Sequence, residues 1–282
     1  RRPFNVPTDV PKGDPSIGQP QPVLAKDLVR YLGQPVAVVV AETLEQALDG
    51  TEAVFVNYEP LTPLIDVREG AARGAQQIWE QSPGNCCFNF QVGNANAADE
   101  AITAAATVIR LSSDNGRLVQ NPLETRGYVG LWDADAECYT LHAAAGKPQT
   151  VGRDLAQFVF GLPEDSVRAV TKDVGGGFGA KNPLYPEQAL VLWTAKKLDR
   201  PVSWQSSRSE TFLADYQGRG QAADAEMALD KEGNVLALRI NILADLGAFL
   251  GPRGSTAPNM WRSMGASVYD LPVVDYNVRA IH

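Results

Sequence analysis

Asp173-Val174-Gly175-Gly176-Gly177-Phe178-Gly179-Ala180-Lys181 is the stretch on which the fold class turns. Four glycines in five positions remove the Cβ atoms that would hold a ligand off the main chain, and they permit positive φ. Two readings stay open on composition: a cradle for a phosphate or oxo-anion, and a tight turn where the backbone packs against another segment. Two nucleotide motifs come close and fail. A P-loop ends in Gly-Lys-Ser/Thr, whereas this stretch continues Ala180-Lys181-Asn182. A dinucleotide fingerprint can be drawn through Gly175, Gly177 and Ala180, but it should open a helix at once and meet an acidic strand-end residue about 20 positions later. Here Asn182-Pro183 delays the helix to Pro186, and Asp199 follows a helix rather than a strand. A nicotinamide-binding dehydrogenase would need a parallel strand–helix–strand unit over 167–198, so that alternative is disfavoured.

Working outward, Val167 to Val170 reads as the strand that feeds the glycine stretch. Upstream, Val151, Leu155, Phe158 and Val159 recur at helical spacing, and Gly161 with Pro163 ends that helix. Downstream, Pro186 suits the first turn of a helix whose interior, Ala189 to Ala195, is apolar all round and hence expected to be buried. Tyr128 to Trp132 and Cys138 to His142 flank a polar turn and predict a hairpin. Gln221 to Leu229 and Val235 to Ala244 around Asp230-Lys231-Glu232-Gly233-Asn234 predict a longer one. Nearer the start, Val36 to Ala41 and Val54 to Tyr58 read as strands. Between them, Thr43-Leu44-Glu45-Gln46 is a capping box opening a helix with Leu44, Ala47 and Leu48 on one face. Residues 1 to 22 read as an extended loop, 67 to 98 as a linker, and Asp99 to Ala106 as an Ala-rich helix. Strands and helices mix without a βαβ rhythm, which is an α+β pattern.

The 282 residues carry a formal charge of -8 and no Lys/Arg-rich run, so a nucleic-acid partner is excluded as an expectation. Cys86, Cys87 and Cys138, with His142 and His282, give neither iron–sulfur nor zinc spacing. An odd cysteine count fits a reducing compartment. With no leader-like segment or membrane-length apolar run, the expectation is a cytoplasmic chain without a membrane span. The start at Arg1-Arg2-Pro3-Phe4 and the stop at Val278-Arg279-Ala280-Ile281-His282 read as a piece of a longer polypeptide.

The run Gly175 to Lys181, taken with Gly161-Leu162-Pro163, Arg200-Pro201-Val202 and Asp230-Lys231-Glu232-Gly233, resembles the large subunits of the xanthine oxidase family. So does Ala244-Asp245-Leu246-Gly247-Ala248-Phe249. Val23-Leu24-Ala25, Tyr31-Leu32-Gly33-Gln34-Pro35-Val36-Ala37 and Asn57-Tyr58-Glu59-Pro60-Leu61 are similar to that family's α/β-hammerhead domain. Asn121-Pro122-Leu123-Glu124 is similar to the opening of its first molybdenum-cofactor domain. The resemblance implies a partial hammerhead unit with an N-terminal loop at 1–75 and a first molybdenum-cofactor-binding domain at 76–282. It implies hydroxylation of a carbon centre (aldehyde, carbon monoxide or N-heterocycle) with water as the oxygen source, as in aldehyde oxidase and carbon monoxide dehydrogenase. Molybdopterin, in its cytosine dinucleotide form, would be the cofactor of the longer protein, with none expected on this stretch alone. An FAD-binding medium subunit and a [2Fe–2S] small subunit would be the partners.

Carried over by position, Gly176, Gly177, Phe178, Gly179 and Gly146 would lie against the cofactor, and Asn182 would face the substrate. The resemblance puts the catalytic glutamate in a C-terminal domain beyond residue 282, so no catalytic residue and no metal ligand is assigned here, and this stretch alone is expected to be inactive. Two departures matter. Gly146 stands where the family commonly has a glutamine near the metal's oxo groups, which keeps a non-catalytic scaffold or assembly protein as the alternative. Asn182 stands where purine-oxidising members have a glutamate, which disfavours a purine. Glu187, Glu210 and Asp245 read as solvated or helix-capping carboxylates. Trp193, Trp204 and His142 read as core, and Arg208 with Glu210 as an ion pair at a turn.

Overall fold

The computed structural model describes residues 19, 21–251 and 254–282; the loop expected over 1 to 22 lies almost wholly outside them. In chain order the first elements are α1 (Leu44–Glu52), α2 (Val67–Ala71), β1 (Cys86–Gly93), α3 (Ala95–Ala104) and β2 (Thr107–Leu118). They are followed by β3 (Gly127–Asp133), β4 (Cys138–Ala143), α4 (Pro148–Asp154), β5 (Val167–Val170), α5 (Pro186–Leu198), β6 (Val202–Gln205) and α6 (Arg208–Ala214). The last are β7 (Gly218–Leu229), β8 (Val235–Asp245), α7 (Thr256–Met264) and β9 (Val274–Ile281). The class is α+β, with two sheets among the described residues. No described helix is long and apolar enough to cross a membrane.

Two compact units form, each from separate stretches: 21–63 with Val119–Tyr216, and Leu64–Leu118 with Gln217–His282. In the first, the sheet order is β5-β4-β3-β6. The expected β3–β4 hairpin is present, and β4 runs parallel to β5. Pro186 sits in the first turn of α5 as expected. Leu141, Val151, Leu155, Val167, Leu184, Val191 and Leu192 form the core. Burying each such side chain contributes about 1.5–3 kcal/mol relative to exposure. The helix begun by α4 widens into a π-type turn over Leu155–Phe160 and ends at Gly161. β5 and β6, which flank the glycine stretch and α5, lie at opposite edges of the sheet. The nicotinamide-binding alternative therefore lacks its adjacent parallel pair over 167–198.

The Val36–Ala41 and Val54–Tyr58 runs are not strands, and Phe55 is 89% exposed. Their β-branched residues favour a ladder, but no ladder partner is present among the described residues. The capping box at Thr43 does form, yet α1 buries no residue. His142 is exposed because Tyr139, Leu141 and Ala143, at alternate positions of β4, take the inner face. Trp193 is 50% exposed on the outer face of α5, with Lys197 over its ring, while Trp204 packs against the core. Arg208 and Glu210 do not pair. Glu210 completes a capping box with Ser207, and Arg208 donates to Asn121 Oδ1, Pro122 O and Leu123 O.

In the second unit the order is β1-β9-β8-β7-β2, and the β7–β8 hairpin closes as expected, with Asp230 accepting from Glu232 N–H and Asn234 N–H. The 67–98 stretch is not a linker: it supplies α2, β1 and the start of α3. Cys87, Phe88 and Phe90 of β1 join Ile242, Val278 and Ala280 in the core. A bulge between Cys86 and Phe88 breaks the alternation that would have marked the strand.

Arg126, just before β3, is 1% exposed. Its Nε donates to Asp215 Oδ1 (2.6 Å), after α6, and its Nη1 donates to Glu187 Oε2 (2.9 Å), in the first turn of α5. Its guanidinium lies 3.8 Å over the Tyr185 ring. Burial pulls its pKa down, but Glu187 and Asp215 more than reverse that and hold it above its ordinary value. Arg126→Ala would leave two carboxylates uncompensated. The expected loss is about 3–5 kcal/mol of unfolding free energy in urea titration; a loss below about 1 kcal/mol would show that the carboxylates find other partners.

Candidate functional site

Because β4 and β5 are parallel neighbours, the segments following Ala143 and Val170 leave the sheet at the same end. Ligands of open α/β sheets gather at such carboxyl ends. Thr171 Oγ1 donates to Ala143 O (2.9 Å) and joins the two exits. The glycine stretch then turns through positive φ at Gly176 (91°), Phe178 (46°) and Gly179 (96°). Glycine is needed at the first and third, where a side chain is strongly disfavoured.

The stretch is clamped at both ends by one carboxylate. Gly175 N–H donates to Glu124 Oε2 (2.8 Å), and Lys181 Nζ donates to the same oxygen (2.6 Å). Glu124 N–H returns a bond to Gly175 O (3.2 Å). Lys181 is 3% exposed, so its charge is absorbed internally. Ala180 N–H donates to Gly177 O, and Tyr185 Oη donates to Ala180 O (2.8 Å each). Tyr185 is itself the ring beneath Arg126, so the buried ion network fixes the far end of the loop.

Between the clamps, the N–H groups of Gly176, Gly177, Phe178 and Gly179 have no acceptor among the described residues. Successive amides without an acceptor, in a turn with positive φ, are the kind of main-chain run that can bind anionic or oxo oxygen. Phe178 carries a ring that is 76% exposed. The structure thus gathers the expected residues: Gly176 to Gly179 on one loop, Asn182 bonded through its N–H to Gly179 O (3.3 Å), and Gly146 against the Asn182 side chain. Among the described residues, no group of three His, Cys, Asp or Glu is placed to hold a metal ion. The free amides fit an oxygen-rich group presented by a cofactor.

Sequence reasoning did not assign Glu124, Thr171 or Tyr185 to the loop. Glu124 lies 51 positions from Gly175, and no spacing rule connects them. Burial raises the Glu124 carboxyl, but the Lys181 ammonium and the Gly175 N–H outweigh it and hold the pKa below its ordinary 4.5. A lowered carboxylate stabilises the fold fully above the unfolded value and loses that contribution as pH falls below it. The clamp should therefore be intact at neutral pH and lost only under acid conditions below about 4.5. Glu124→Gln should cost about 1–3 kcal/mol in urea titration at pH 7 and flatten the acid limb of the stability profile. An unchanged acid limb would show that Glu124 does not hold the loop.

Comparison with known proteins follows the same lines. Residues 78–282 match the molybdopterin cofactor-binding domain, and residues 5–62 match the aldehyde oxidase and xanthine dehydrogenase a/b hammerhead domain. The chain is 31% identical over 258 residues to the nicotine 6-hydroxylase large subunit of Paenarthrobacter nicotinovorans, covering 90% of this chain and 31% of that protein. It is 30% identical over 273 residues to the carbon monoxide dehydrogenase large chain of Hydrogenophaga pseudoflava, covering 92% and 34%. The crystal structure of quinoline 2-oxidoreductase from Pseudomonas putida 86 superposes with a TM-score of 0.85 at 30% identity, covering 93% of this chain and 33% of that one. The chain thus spans about a third of the length of the curated relatives it matches. With the cofactor-binding match running through most of its length, the chain belongs to the large-subunit family of the xanthine-oxidase-type molybdenum hydroxylases.

Proposed function

We propose that this chain forms part of the molybdopterin-binding subunit of an oxidoreductase that hydroxylates a carbon centre with water as the oxygen source. The observation that carries the reading is the run of four free amides at Gly176 to Gly179, held rigid by Glu124, Lys181 and Tyr185. When bound, the cofactor supplies the metal centre at which oxygen passes from water to carbon. Gly176, Gly177, Phe178 and Gly179 hold the oxygen-rich side of that group by main-chain donors, with Gly146 beside them. The exposed Phe178 ring covers it against water, and Asn182, beside Gly179 at the close of the loop, lies between that group and the substrate. The division at about residue 75, between a hammerhead unit and the cofactor domain, belongs to the same proposal.

The relatives' names, nicotine 6-hydroxylase and carbon monoxide dehydrogenase, support an N-heterocycle or carbon monoxide, and the family resemblance adds an aldehyde. Asn182 is neutral where a purine site would use a carboxylate, which disfavours purines. Electrons would leave through [2Fe–2S] clusters and FAD on partner subunits, and the pterin would carry a cytosine dinucleotide. The base that activates water would come from a further cofactor domain, consistent with a chain about a third as long as its relatives. Exposed Phe55, Ile65, Leu123 and Val268 offer apolar surface for that larger assembly.

The test is elemental mass spectrometry of the longer subunit produced with its partner subunits in a host that makes the cofactor. About one molybdenum per chain is expected. A folded subunit without metal would favour the cofactor-free scaffold. The 282-residue chain purified alone is expected to retain no stoichiometric molybdenum, and finding it there would overturn the view that further domains complete the site.

A further inference from the structure

Gly146 is not at positive φ, so its backbone does not call for glycine. Its reason is steric. A Cβ at 146 would overlap Asn182 Oδ1 and lie 3.4 Å from Asn182 Cγ. The Asn182 carboxamide therefore occupies the space that a side chain at 146 would fill. Asn182 is firmly based: its N–H is bonded to Gly179 O, and the preceding Lys181 is buried and tied to Glu124. Its carboxamide, by contrast, is half-buried and has no hydrogen-bond partner among the described residues. It belongs to the residue whose own N–H is bonded to Gly179 O, at the close of the run of four main-chain donors.

We propose that Asn182, seated in the gap left by Gly146, is the neutral side-chain arm of the glycine-loop oxyanion site, and that Gly146 is the residue that positions it. This rests on the loop being an oxyanion site, as argued above. An amide suits the role because it donates N–H to a ligand oxygen without charge and can present either end by rotation about its terminal torsion. A carboxylate there would repel the same ligand. The absent side chain at 146 and the amide at 182 are then one arrangement: a donor reaches the site from the loop that follows β5 rather than from the loop that follows β4.

The probe is sodium molybdate, a tetrahedral oxyanion, titrated at pH 7.5 into the 15N-labelled 282-residue chain and followed by amide resonances. The main-chain N–H signals of Gly176 to Gly179 and the Asn182 side-chain NH2 should shift together. Asn182→Ala should weaken binding about tenfold, the size expected for one hydrogen bond to a charged group. Asn182→Asp, which is isosteric, should weaken it further through like-charge repulsion. Gly146→Ala should displace the amide and weaken binding as Asn182→Ala does. The double variant should be no weaker than Asn182→Ala alone, because both changes remove one arm. Unshifted resonances of the β3–β4 hairpin would show that each variant is folded. If the loop amides respond but Asn182→Ala and Asn182→Asp bind like the parent chain, the inference is overturned and the loop reading stands. If no loop amide responds to molybdate, the loop reading fails as well.

Discussion

A buried arginine governs how the glycine loop is held. Arg126 is shut away from water with Asp215 and Glu187 as its counter-charges and the Tyr185 ring beneath it. Those partners come from the end of α6, the first turn of α5 and the residue before it. Such a cluster is stable only when every member is present, because each ion has lost its hydration and depends on the others. The consequence is geometric. Tyr185 is fixed by the cation under which it lies, its hydroxyl accepts from Tyr216 N–H, and it donates to Ala180 O at the close of the glycine loop. Burial pushes the Tyr185 hydroxyl well above its ordinary pKa, so this donor persists across the physiological range.

As an oxyanion site, the proposed loop would work by dipoles rather than by net charge. The cation within the loop, Lys181, is spent on Glu124, and the chain as a whole is acidic. In the proposed role, attraction for an anionic or oxo group would come from the amides of Gly176 to Gly179, whose reach falls off quickly. That arrangement favours a ligand held close and in one orientation over loose capture of any anion. It also explains why both ends of the loop are clamped: amides that point at a ligand are useful only if the backbone carrying them is already in place.

Legibility from sequence followed the range of the interactions. The β3–β4 and β7–β8 hairpins, the Thr43 capping box and the Pro186 helix start were readable because turn, cap and periodicity are local signals. β1 was not, since its bulge hides the alternation and its burial comes from β9, far along the chain. β2 was missed for a related reason: it is exposed along almost all its length, so no apolar-in/polar-out alternation marks it, and its strand character is set by pairing with β7, with Arg110 meeting Glu226 and Ser112 meeting Asp224. The Val36 and Val54 runs show the converse, strand propensity without a ladder. In the site, glycine density marked Gly176 to Gly179, and the resemblance marked Gly146 and Asn182. The contact between those two, and the Glu124 clamp, needed coordinates because neither has a sequence spacing that repeats.

The most direct measurement is hydrogen–deuterium exchange of the peptide covering residues 173–181 in the longer subunit, with and without its molybdenum cofactor. The expected result is slower exchange at Gly176 to Gly179 in the loaded protein, with the β7–β8 hairpin unchanged. Equal exchange in both forms would contradict the claim that these amides hold the cofactor.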